Sequence, residues 1–130
     1  MSATATLWER LGGEERMAEI VSDFVDAAVA DPRVNYSRGG RYPLDAGHLT
    51  RIKRGALEFL SQAMGGPLRY SGRSLAEIHG RMDIVDAEFV AFAGHFERAL
   101  GRHGVSIELI KIVMEAVATV RPMIVACSGP

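Results

Sequence analysis

Residues 13–32 read GEERMAEIVSDFVDAAVADP. The apolar side chains are Met17, Ile20, Val21, Phe24, Val25, Ala28 and Val29, spaced alternately three and one apart. That rhythm keeps them on one side of a helix of about 3.6 residues per turn, whereas a half-buried strand would alternate at every second residue. Gly12-Gly13 mark the start, and Glu14-Glu15 complement the positive end of the helix dipole. Asp31-Pro32 ends the segment, because a proline ring disfavours helical dihedrals at the residue before it.

The same period recurs on the C-terminal side. Leu49, Ile52, Ala56, Phe59, Leu60, Ala63 and Met64 form a second stripe that stops at Gly65-Gly66-Pro67. Stopping there calls for a left-handed backbone at one of the two glycines. Ser74 to Gly80 reads as a short capped helix. Phe89, Phe92, Phe96 and Leu100 make a third stripe, closed by Gly101 and Gly104. The last runs Ile110, Val113, Val117, Val120, Ile124 from a cap at Ser106. Asp31 to Gly47, with two prolines and three glycines, reads as an irregular loop. Alternating strand patterns are absent. The expected class is all-α, with four main stripes meeting across one core.

Composition agrees with a single domain over residues 1–130. The chain is 48% hydrophobic and 24% charged, which is ordinary for a folded chain and excludes disorder. Fifteen basic against sixteen acidic side chains give a net charge of −1, which argues against nucleic-acid or membrane-surface binding. One cysteine, Cys127, excludes a disulfide framework and a cysteine-based zinc site. The apolar runs are far short of a membrane span, and a reducing cytoplasm is the expected compartment.

Motifs for chemistry are few. His48, His79, His95 and His103 lack helical metal-site spacing with nearby carboxylates, and no nucleophile elbow, P-loop or GxGxxG occurs. His95 and His103, eight apart on roughly one helix face, read as surface or interhelical polar residues.

A set of short segments, taken in order, nevertheless carries a resemblance. Leu11-Gly12-Gly13, Phe24, Ala30-Asp31-Pro32-Arg33-Val34, Met64-Gly65-Gly66-Pro67, Tyr70-Ser71-Gly72-Arg73-Ser74-Leu75 and His79 resemble the group I truncated haemoglobins, from Leu7 to about Val125. These are 2-on-2 globins in which four main helices sandwich a haem. The resemblance implies haem b, with His79 as the proximal iron ligand, a role suited to a neutral imidazole. It places the haem edge near Lys53, Tyr70 and Arg73, where cations or hydroxyls can pair with propionates. The family's basic propionate contact on the distal helix aligns with Gly55, so Lys53 or Arg54 would substitute. Phe92, Phe96, Val113 and Val117 match the apolar floor and walls, with Leu60 and Leu75 beside them.

The distal side departs from the family. Its customary Tyr aligns with Val25 and its customary Gln with Ala56, and the gate position is Ile52. All are apolar, so no hydrogen-bond donor is expected above the iron. Tyr36 is the nearest stand-in for a displaced wedging aromatic. His48, one turn before Ile52, is either a distal ligand or an exposed helix-start residue. Tyr36, Tyr42 and His48 are the reserve donors.

The resemblance therefore implies a globin that reversibly binds O2, NO or CO, rather than an enzyme with a protein nucleophile. NO detoxification, with a reductase partner, and haem-based gas sensing are alternatives. A haem-less interaction module is the alternative of another class. A monomer or weak homodimer is expected.

Overall fold

A computed structural model of the chain describes residues 5–34, 45–71 and 84–124, with side chains described as far as residue 122. The expected helix from Ser74 to Gly80, and with it Arg73, Leu75 and His79, lies outside those residues, as do Tyr36 and Tyr42. Six helical segments and no strand occur among the described residues: α1 (Leu7–Arg10), α2 (Gly13–Ala30), α3 (Ala46–Ala63), α4 (Asp86–Arg102), α5 (Ile107–Ala118) and α6 (Arg121–Ile124).

Helix α2 is the keystone, packing against α3 on one side and α4 on another, while α5 packs on α4. Met17, Ile20, Val21, Phe24, Val25 and Ala28 are all buried, as their period requires. Each of the larger ones contributes about 1.5–3 kcal/mol by leaving water. They meet Phe96, Ala99 and Leu100 of α4, Leu109 and Val113 of α5, and Leu57 of α3 in one core. The rings of Phe24 and Phe96 stand 5.0 Å apart.

Several boundaries differ from the sequence reading. The short α1 is set by a reciprocal cap: Glu9 N–H donates to Thr6 Oγ1 (3.1 Å) and Thr6 N–H to Glu9 Oε1 (2.9 Å). Helix α3 begins at Ala46, with Asp45 Oδ1 accepting from His48 N–H (2.9 Å), so Gly47 belongs to its first turn and not to the loop. Gly101 lies inside α4, and the chain turns instead at Gly104. The final stripe is two helices rather than one. Pro122 has no N–H and its ring crowds the carbonyl four residues back, and α5 accordingly ends at Ala118.

The glycine pair after α3 divides its labour. Gly65 adopts the left-handed conformation (φ +83°). Gly66 is required for space, since a Cβ there would lie 2.6 Å from Trp8 Cγ. This seats α1: Trp8 is buried against the glycine, and its backbone N–H donates to the Met64 carbonyl (2.9 Å).

Candidate functional site

The four helices do not bury their stripes equally. Whereas α2 seals six residues, α3 is just as long and fully buries only Leu57 and Ser61. Leu49, Ile52, Ala56 and Leu60 touch the core but remain partly exposed. On the other helices Phe92, Ile110, Met114 and Val117 behave likewise. The expected floor residues thus separate: Phe96 and Val113 are sealed inside the core, while Phe92 and Val117 lie at its boundary. Phe92 is fixed by an edge-to-face contact with Phe24 (5.1 Å, 68°). Val25 is buried. Among the described residues the result is a half-open apolar surface on α3, a form that a flat apolar group would complete.

Polar side chains near this surface are committed elsewhere. Lys53 Nζ lies 2.8 Å from Asp26 Oδ1 and donates to Ser22 Oγ (3.0 Å), so it bridges α3 to α2. Arg54 Nε donates to Glu58 Oε2 (2.9 Å) one turn along its own helix. His48 Nδ1 lies 3.0 Å from Asp45 Oδ1 on a part-exposed side chain, at the start of α3. The hydrogen bond from the His48 backbone N–H, and then the imidazole itself, hold the Asp45 carboxyl below its usual range. Tyr70 is brought against α3, its ring edge-on to Phe59 at 6.0 Å. Gln62 Oε1 accepts the Tyr70 backbone N–H (2.9 Å).

Of the two readings given to His95 and His103, surface or interhelical, the second holds: His95 of α4 pairs with Asp31 at the C-cap of α2, and His103 at the C-cap of α4 pairs with Asp23 of α2. His95 Nε2 lies 2.7 Å from Asp31 Oδ2, with both side chains nearly buried. Asp31 also accepts from Arg33 Nε and Nη2, the latter at 2.8 Å. That guanidinium first, and the imidazole second, pull the Asp31 carboxyl far below the carboxylate range. His103 Nε2 lies 3.2 Å from Asp23 Oδ2, whose other oxygen accepts from Arg102 Nη2 at 3.0 Å. Partners so distant in sequence leave no local signal; only the shared face of His95 and His103 hinted at them. No group of three metal-ligating side chains occurs among the described residues.

The Bacterial-like globin family model matches residues 6–126. A group 1 truncated hemoglobin of Mycolicibacterium paratuberculosis is 29% identical over 120 residues, covering 92% of this chain and 84% of that one. Another from Tetrahymena pyriformis is 30% identical over 106 residues, covering 82% and 83%. In three dimensions the chain is similar to the Fe(III) truncated hemoglobin of Tetrahymena pyriformis, with a TM-score of 0.83 at 24% identity over 94% of this chain and 99% of that one. It is also similar to a Synechococcus 2/2 hemoglobin, solved in the cyanomet state with covalently attached heme. There the TM-score is 0.75 at 30% identity, over 90% and 94% of the two chains.

Proposed function

Since the chain belongs to the bacterial-like globin family and is a haem-binding globin, we propose that it holds haem b against the half-open face of α3, with His79 as the proximal iron ligand. The observation that carries this reading is the contrast between α2, sealed along its stripe, and α3, which leaves Ile52, Ala56 and Leu60 partly uncovered. Those residues, with Phe92 and Val117, fit a flat apolar macrocycle, which becomes part of the core. The bound group supplies an iron coordination position for a diatomic gas. The chain supplies the surroundings that select among gases.

Val25, Ile52 and Ala56 offer no donor to a ligand that accumulates negative charge. The neighbouring polar groups of Lys53, His48 and Gln62 are engaged with other partners. A pocket of this character favours CO and NO over O2, because a hydrogen bond to a charged acceptor contributes about 1.5–3 kcal/mol. Reversible gas binding or sensing therefore fits better than oxygen transport. We read residues 1–130 as one domain acting in the cytoplasm; no helix among the described residues is long and apolar enough to cross a membrane.

The test is an absorption spectrum of the purified protein with haem added. A Soret band is expected in the wild type, and His79→Ala should lose it or keep it only with added imidazole. A normal five-coordinate ferrous spectrum in His79→Ala would reject the ligand assignment. A wild type that takes up no haem would reject the haem reading itself.

A further inference from the structure

Helix α4 has two faces. Phe92, Phe96 and Ala99 turn to the core, while Val90, Gly94, Glu97 and Arg98 share the opposite side at helical spacing. A groove of about 410 Å³ runs over that second face, floored by Phe89, Val90 and Gly94 and by Met114 of α5. Its size lies at the low end of small-molecule sites, about 300–1,000 Å³. None of Ile52, Ala56, Leu60, Phe92 or Val117 borders it, so it is separate from the candidate haem face. Val90 is 61% exposed, which leaves apolar surface open to a ligand.

The rim of the groove is cationic. Arg33, Arg98 and Arg121 line it against one carboxylate, Glu97. Arg33 is paired with Asp31 and Arg121 with Asp86, so their charges are largely answered. Arg98 is different. Among the described residues no carboxylate pairs with it, and its Nη2 donates to His95 Nδ1 (3.3 Å). The other imidazole nitrogen lies against Asp31, so His95 holds the guanidinium as an acceptor and brings no negative charge to it. Arg98 is laid over Gly94: a Cβ there would stand 3.4 Å from its Nη1. A held guanidinium beside an apolar floor complements a carboxylate that carries an apolar tail.

We propose that this groove binds a free aliphatic carboxylate of the fatty-acid class, with its head on Arg98 and its tail along Val90, Phe89 and Met114. Arg33 and Arg121 add attraction from the rim, and Glu97 opposes it. The net charge of −1 favours a single dissolved molecule over an anionic membrane surface. The inference stands apart from the haem-binding reading.

The test is calorimetric titration of the haem-loaded protein with decanoate below its micelle-forming concentration, with the Soret band followed in parallel. Should the protein take up no haem, the same titration is run on it as purified. The expected Kd is about 1 mM or tighter, from the size of the ligand at ordinary ligand efficiency, with the Soret band unmoved. Each methylene added to the tail should tighten binding about twofold, against about fourfold for full burial, because the groove is open. Arg98→Gln changes an exposed side chain and should weaken decanoate about tenfold while leaving 1-decanol unaffected. Val90→Asp, also at an exposed position, sets a carboxylate against the tail and should weaken both ligands. The proposal is overturned if decanoate does not bind below about 10 mM, if Arg98→Gln binds it as tightly as the wild type, or if hexanoate binds as tightly as decanoate. It is overturned equally if binding shifts the Soret band, which would put the carboxylate at the haem. Capture by phosphatidylglycerol vesicles without binding of decanoate would mean a membrane surface, and also overturns it.

Discussion

Gly66 and Gly101 show how little the identity of a glycine says before its neighbours are known. A methyl group on Gly66 would collide with the Trp8 ring and the Ser61 hydroxyl, both buried. Gly66→Ala should lower the unfolding free energy by about 1–3 kcal/mol, as overpacking does, measured by urea denaturation. Gly101 is exposed within α4 with nothing within 4 Å of an added Cβ. Gly101→Ala should raise stability by about 0.5–1 kcal/mol through helix propensity alone. Equal effects at the two positions would contradict the packing of α1. In the haem-binding reading proposed above, gas selectivity should turn on Val25. Val25→Tyr would bring a hydroxyl to the apolar side, slowing O2 dissociation about tenfold or more while leaving CO dissociation much less changed in flash photolysis. The larger ring must fit a site only 1% exposed, so a parallel loss of about 1–3 kcal/mol in stability is expected.

At the scale of elements, the exit of α2 is held by charge. The Asp31 carboxyl has its pKa lowered chiefly by Arg33, then by His95. A lowered carboxylate pKa contributes stability above the unfolded value near 3.9, and that stability is lost as the pH falls from there toward the folded value. Asp31→Asn should therefore be less stable than the wild type at pH 7, with the gap closing as urea midpoints are followed below pH 4. A gap that is constant with pH would mean the carboxylate contributes through packing and not through charge. Helix identities were legible in the sequence because each stripe is local: six of the seven positions read from residues 17–29 are buried in α2. What escaped was whatever depended on a partner outside the stripe, such as the Asp31–His95 pair, the seat of Trp8, and the bonds by which Ser61 and Gln62 hold the backbone of Gly66, Leu68 and Tyr70. The break before α6 was the exception, since Pro122 announces it locally and the apolar period concealed it. Of the candidate site, the apolar positions of α3 could be listed from their period, but not that Lys53 and Arg54 are turned to carboxylates.

For the whole molecule, the unequal burial of α2 and α3 predicts where the cofactor is felt. Haem binding should raise the melting temperature and slow amide exchange in α3 more than in α2, whose face is already closed. Hydrogen exchange of apo and haem-loaded protein gives the comparison, and equal protection of both helices would place the cofactor elsewhere. The docking of α1 also dictates an order of assembly. Its seat is made by Met64 and Gly66, so α1 cannot take up that seat until the glycine pair, more than fifty residues further on, has been brought to it. Closing so long a loop is slow relative to forming the local turns of α2. Trp8 is the chain's one tryptophan and loses its water at that step. Its fluorescence should therefore trail the helical circular dichroism when the apoprotein refolds, a built-in clock for the moment α1 comes home.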